Sequence, residues 1–243
     1  MTKDILSISK VEKSYAGKEV LGSISFALEK PEIFGLLGPS GAGKTTLVKI
    51  IAGIEEATNG NAAILGTNMP NLQQMKKIGY MAQSDALYSE LTAKENIMFF
   101  SALYGLKKSE IKRRIQEIIA MVDLEQDMNK KVADFSGGMK RRLSLAIALM
   151  HEPKILILDE PTVGIDPVLR RKIWDNFQEL KASGTTIIVT THVMDEAEKC
   201  DRLGMIRDGE MIAIGSPDDL KSETQTESIE DAFLYYGGVL HAN

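Results

Sequence analysis

The chain has 243 residues, with 29 lysines and arginines against 34 aspartates and glutamates, so its net charge is −5. Hydrophobic residues make up 44% and charged residues 26%, the proportions of a globular domain, which exclude a disordered, collagenous or coiled-coil chain. The charge-free stretch Ile33 to Gly43, with its strong apolar run, falls short of the roughly 20 residues of a membrane-spanning helix. No signal-peptide layout follows Met1, and the single cysteine, Cys200, leaves no internal disulfide framework. A cytoplasmic chain that does not cross a membrane by itself is expected. The acidic balance argues against a nucleic-acid partner.

In chain order, short apolar runs between Asp4 and Leu28 predict strands at a sheet edge. Glu32 to Leu37 reads as a buried strand, and Leu47, Val48, Ile50 and Ile51 as the apolar face of a helix that Gly53 ends. Thr92 and Glu95 have capping-box spacing. Ile97, Phe100 and Leu103 follow at helical spacing, with Gly105 as the stop. Ile111, Ile115, Ile118, Ile119 and Val122 form a second stripe. A third helix is predicted from about Gly138 to Met150, its basic run Lys140 to Arg142 on a solvated face. Ile155 to Leu158 and Thr185 to Thr190 read as buried parallel strands, separated by a helix bearing Ile173, Phe177 and Leu180. Leu203 to Arg207 and Glu210 to Ile214, joined by Asp208-Gly209, read as a hairpin. Strands alternating with helices predict an α/β core with a parallel sheet.

Gly38-Pro39-Ser40-Gly41-Ala42-Gly43-Lys44-Thr45 is a complete P-loop pattern. The glycines let the backbone turn its N–H groups inward, and the following helix offers its positive end to phosphate. Lys44 reaches the β- and γ-phosphates, and the Thr45 hydroxyl ligates Mg²⁺. The strand before and the helix after are both predicted. A dinucleotide fold is disfavoured, because the ribose-binding acid of that pattern has no counterpart.

The run Ile155 to Leu158 ends in Asp159-Glu160-Pro161. Ligands of open α/β sheets sit at the carboxyl ends of strands, where adjacent acids need a compensating charge such as Mg²⁺. Asp159 is the candidate Mg²⁺ carboxylate, and Glu160 the group that polarises an attacking water.

Further motifs resemble those of the ATP-binding subunits of ABC transporters. Phe135-Ser-Gly-Gly-Met139 followed by Lys140-Arg-Arg-Leu143 is similar to the family signature, with Phe135 and Met139 departing from the commoner Leu and Gln. Gln83 in Tyr80-Met-Ala-Gln83 resembles the Q-loop, and Gly164-Ile-Asp166-Pro167 the D-loop. His192 in Thr190-Thr-His192 resembles the switch histidine, and Tyr15 the aromatic that stacks on adenine. The motifs stand in the family's order over nearly the whole chain. The Met-Lys-Arg-Arg-Leu form, Pro161 to Pro167, Thr191 to Ala197 and Ser228 to Leu234 resemble the ABC-2 exporter branch, which handles drugs, antibiotics and polysaccharides.

The resemblance implies a single nucleotide-binding domain over residues 1–243. It would hold a P-loop NTPase, RecA-like parallel-sheet core, an N-terminal antiparallel β subdomain, an inserted helical subdomain at about 84–150 and a short C-terminal element at about 217–243. It implies a head-to-tail dimer, of two copies or with a paralogue, in which one subunit's P-loop (Gly38 to Thr46) and Tyr15 face the other's Ser136, Gly137 and Gly138, with Asp166 nearby. Glu160, His192, Gln83 and Lys44 would be catalytic, and Thr45, Gln83 and Asp159 would ligate Mg²⁺. A separately encoded membrane permease would hold the chain at the cytoplasmic membrane face, coupled through the loop after Gln83 and the helices around Ala86 to Tyr104. An importer ATPase, a non-transport ABC ATPase and a non-hydrolysing module are the alternatives. A GTPase is disfavoured, because no Asn-Lys-x-Asp guanine reader occurs. His151, His241 and Cys200 match no motif.

Overall fold

A computed structural model describes residues 4–239; His241 and the last residues of the expected C-terminal element lie outside them. The elements are β1 (Leu6–Tyr15), β2 (Lys18–Leu28), β3 (Ile33–Leu37), α1 (Lys44–Ile51), β4 (Asn59–Ile64), β5 (Thr67–Asn68), α2 (Leu72–Met75), β6 (Ile78–Met81), α3 (Ala93–Leu103), α4 (Lys108–Val122), α5 (Gly137–Leu149), β7 (Ile155–Asp159), α6 (Pro167–Ala182), β8 (Thr186–Thr191), α7 (Met194–Ala197), β9 (Arg202–Arg207), β10 (Glu210–Gly215), α8 (Pro217–Thr224) and α9 (Ile229–Tyr236). Contacts divide the chain into one unit made of residues up to Met75 and from Thr186 onward, and a second, Lys76–Thr185. Among the described residues no helix is long and apolar enough to cross a membrane.

The first unit carries two sheets. In one, the strand order is β2-β1-β4-β5, all antiparallel. The expectation that the N-terminal strands lie at a sheet edge fails for β1, where Leu6 pairs with both Leu28 and Ile64. Its short apolar runs reflect a register that shifts along the strand, not an edge position. In the other sheet β3 lies between β8 and β9, parallel to both. Every residue of β3 and β8 is buried, which explains why they read as continuous apolar or β-branched runs, not alternating ones. β9 and β10 form the predicted hairpin: Arg207 pairs with Glu210, and Asp208 and Gly209 have φ of 50° and 82°, the geometry of a type I′ turn. The helix α1 follows β3 with Leu47, Val48, Ile50 and Ile51 buried. At the C-terminal end Ser216 and Ser228 cap α8 and α9 by accepting from Asp219 and Asp231 backbone N–H groups at 3.1 and 3.0 Å.

The second unit packs helices on the parallel pair β6–β7, where Ile78 faces Ile155 and Met81 faces Leu158. Helix α5 contacts both strands and also α3 and α4. The Thr92–Glu95 capping box is present: the Thr92 hydroxyl accepts from Glu95 N at 3.2 Å, and the Glu95 carboxylate accepts from Thr92 N at 2.8 Å. The buried face of α3 is Ala93, Asn96, Ile97 and Ser101, so the predicted stripe through Leu103 is rotated, and Leu103 is exposed. Asn96 can occupy that buried face because its amide is satisfied by the Tyr88 main chain, accepting from Tyr88 N at 2.9 Å and donating to Tyr88 O at 3.0 Å. In α6, Trp174 and Phe177 meet edge to face at 5.5 Å, and each fully buried ring contributes roughly 1.5–3 kcal/mol or more by area.

Candidate functional site

The P-loop lies in the first unit, between the end of β3 and the start of α1, the strand-then-helix setting the motif needs. Gly38 is required by close approach: a Cβ there would stand 2.2 Å from the Ile206 carbonyl oxygen. Gly43, the N-cap of α1, has φ 101°, and a Cβ would meet Leu21 at 2.5 Å. Only glycine combines that backbone with that proximity. Lys44 is 5% exposed, and its ammonium donates to the Gly38 and Pro39 carbonyls at 2.7 and 3.0 Å, so its charge is held over the loop. Pro39, Ser40 and Gly41 are exposed, Ala42 is buried, and Thr45 and Thr46 are half-buried on the first turn of α1.

Two further candidates belong to this unit. Tyr15 is 43% exposed at the end of β1, and the Lys13 ammonium lies 4.9 Å from its ring centre. Lys13 also pairs with Glu55 at 3.1 Å. Partial burial and a hydrogen bond to Glu55 raise the Tyr15 phenol above its ordinary value. Burial pushes the Glu55 carboxyl up, but hydrogen bonds from Tyr15 and Lys13 outweigh that and hold it low. His192 is exposed immediately after β8. Its position is fixed by Thr191, whose carbonyl accepts from Gly38 N at 3.4 Å. The Thr191 hydroxyl donates to the buried Glu196 carboxylate at 2.7 Å and accepts from Val193 N at 3.0 Å.

The other candidates lie in the second unit. Asp159, 1% exposed, ends β7, and Glu160 follows with φ 52°. That left-handed conformation costs a non-glycine residue about 1–3 kcal/mol unless the surroundings enforce it. The Gln83 amide donates to the Glu160 carboxylate at 3.5 Å. Ser136 is the N-cap of α5, its hydroxyl accepting from Met139 N at 3.2 Å, so α5 starts at Gly137, one residue before the predicted start. Gly137 and Gly138 form its first turn, and a Cβ on Gly138 would meet the Gly164 carbonyl at 2.9 Å. Asp166 caps α6, accepting from Val168 N and Leu169 N at 3.1 and 3.0 Å.

The donors fit the expected groups. A left-handed glycine at a helix start beside a buried lysine has the chemistry that suits an anion. Thr45, Gln83 and Asp159 offer only oxygen ligands, as Mg²⁺ prefers. No three His, Cys, Asp or Glu side chains among the described residues form a metal cage; Mg²⁺ in a nucleotide site takes one or two carboxylates plus substrate phosphates and needs no such cage.

The reading of Lys140 to Arg142 as a solvated face is overturned for Arg141, which is 6% exposed. Burial lowers its guanidinium from the ordinary value, while Asp85, Asp159 and Glu160 favour its charged form. Lys140 and Arg142 are half-buried, and Arg142 donates to the Val122 carbonyl at 2.9 Å, closing the end of α4. The signal for Arg141 was its spacing: it lies four and eight residues before Leu145 and Leu149, on the buried face of α5. His151 stacks on Tyr104 with ring centres 3.7 Å apart. Cys200 is buried, and burial drives its thiol well above the ordinary range.

Residues 21–163 match the family model described as ABC transporter. The chain is 44% identical over 228 residues to the linearmycin resistance ATP-binding protein LnrL of Bacillus subtilis (strain 168), spanning 93% of this chain and 73% of that one. It is 43% identical to the Nod factor export ATP-binding protein I of Rhizobium johnstonii, over 90% of this chain and 71% of that one. Among solved structures, a dimeric post-hydrolysis state of the ATP-binding cassette MJ0796 bound to ADP and Pi superposes with a TM-score of 0.81 at 28% identity. That match covers 87% of this chain and 98% of the other.

Proposed function

The chain belongs to the ABC transporter family as an ATP-hydrolysing subunit, and from that premise we propose that it powers an ABC-2 type exporter as one half of a head-to-tail ATPase dimer. The observation that carries the proposal is the P-loop cradle, in which a glycine that tolerates no Cβ, a left-handed glycine and a buried lysine meet at the start of α1. The names of the relatives, antibiotic resistance and Nod factor export, support export over import.

In this reading the inward N–H groups of residues 38–46 and Lys44 hold the ATP phosphates, and Tyr15 packs on adenine. Thr45, Asp159 and Gln83 would hold Mg²⁺, which when bound would neutralise charge on the phosphates. Glu160 orients the attacking water and takes its proton, while His192 and Gln83 sense the γ-phosphate. Ser136, Gly137 and Gly138 close the second copy's site: they start α5, so their N–H groups carry the positive end of a helix. Asp166 holds the neighbouring turn. Most of the rate comes from positioning and fixed charge.

A membrane permease encoded separately would hold the dimer at the cytoplasmic membrane face, docking near the loop after Gln83 and α3. We also retain the reading of the chain as one nucleotide-binding domain over residues 1–243, with a helical subdomain at about 84–150 and a C-terminal element at about 217–243. Phosphate release from ATP by the purified chain tests the enzymatic core. Turnover with Mg²⁺, lost on chelation and in Lys44→Ala, is expected. Turnover in Lys44→Ala equal to the parent would reject the P-loop role.

A further inference from the structure

We propose that Arg141 is the positioning residue that holds Glu160 and Gln83 in register for hydrolysis, an inference that rests on the reading of Glu160 as the base. Its guanidinium has five N–H donors, and all five are engaged by backbone carbonyls. Nε donates to Glu160 O at 3.1 Å. Nη1 donates to Ala82 O and Gln83 O at 2.7 and 2.8 Å. Nη2 donates to Asp159 O and, at 2.6 Å, to Glu160 O.

These carbonyls belong to the two segments that carry the hydrolytic side chains, the loop after β6 and the end of β7. Ala82, Gln83 and Glu160 lie just past the last residues of β6 and β7, where the strand ladder has ended, and a buried carbonyl left without a donor is costly. Glu160 needs an external hold for a second reason: its φ of 52° is a conformation that a glutamate keeps only when its surroundings over-determine it. The arginine meets both needs from a rigid element, since it projects from the second turn of α5, five residues after the Ser136 cap.

The charge is compensated nearby. The Asp85 carboxylate lies 3.9 Å from Nη1 and is oriented by the Ser144 hydroxyl at 2.7 Å. Lysine cannot substitute, because three donors on a point charge cannot span four carbonyls on two segments. The same α5 begins with Ser136, Gly137 and Gly138, so the helix that presents the signature also holds the two hydrolytic groups.

The test compares Arg141→Lys with Arg142→Lys, its neighbour on the same helix, in the full-length chain. Turnover is expressed per nucleotide-binding site, counted by titration with a fluorescent ATP analogue, so that misfolded protein drops out. Arg141→Lys is expected to lower kcat about 10- to 100-fold, the cost of a displacement near 1 Å at a reacting centre, with KM for ATP within twofold. Arg142→Lys is expected to keep both. In a Glu160→Gln background, followed by single turnover, adding Arg141→Lys should cause no further loss.

Parent-like kcat per site in Arg141→Lys would overturn the proposal, as would a loss that multiplies fully with that of Glu160→Gln. Rapid turnover by Glu160→Gln alone would instead remove the base assignment beneath it, and the two failures are told apart by which single variant stays active.

Discussion

Gly38→Ala tests whether the phosphate cradle depends on close backbone approach. Gly38 has no left-handed backbone, so alanine meets no conformational penalty of its own there. The methyl group would lie 2.2 Å from Ile206 O and 3.2 Å from Ile206 C. Both are main-chain atoms of β9, which pairs with β3 and β10, so they cannot move aside as a side chain would. The loop must shift by about 1 Å, and overpacking of this kind costs roughly 1–3 kcal/mol. In a chain of this size that lowers Tm by about 2–4 °C per kcal/mol. The same displacement moves the N–H groups proposed to hold phosphate, so ATP affinity should fall about 10- to 100-fold, the equivalent of roughly 1.4–2.8 kcal/mol. Thermal melting and calorimetric titration with ATP measure the two effects. Gly105→Ala is the control: its φ is 79° and a Cβ there meets nothing within 4 Å, so it should cost about 1–2 kcal/mol of backbone strain and no affinity. Gly38→Ala with parental Tm and parental affinity would refute the reasoning.

Thr92→Ala removes one arm of the α3 capping box and should cost about 1 kcal/mol, read as a lower urea midpoint with unchanged m-value. His151, whose burial against Tyr104 lowers its pKa from 6.5 to about 4, binds fewer protons folded than unfolded. Its contribution to stability is therefore full above pH 6.5 and is lost as pH falls from 6.5 towards 4, by up to about 3 kcal/mol. His151→Phe keeps the ring on Tyr104 and should flatten that part of the stability profile; an unchanged slope would show that other groups carry it.

The features written locally were legible in the sequence. The P-loop, the Thr92–Glu95 box and the Asp208-Gly209 turn each depend on a few adjacent residues whose chemistry has one local use. Long-range determinants were not. The place of β1 between β2 and β4 depends on pairing with Ile64, nearly sixty residues away. Arg141 sits between two other basic residues, and only its buried helix face separates it from them. Leu103 fits the apolar spacing of α3, yet Asn96 is buried in its stead, because bonds to the Tyr88 main chain satisfy its amide. The left-handed backbone of Glu160 has no signature in residue type, since glutamate rarely adopts it.

The central claim, a composite ATP site closed by a second copy, is tested most directly by sedimentation of Glu160→Gln with ATP and Mg²⁺, alone and combined with Ser136→Arg. A dimer is expected for the single variant and a monomer for the double variant, because arginine at the cap of α5 would block the partner's γ-phosphate site. A stable ATP-dependent dimer in the double variant would contradict it.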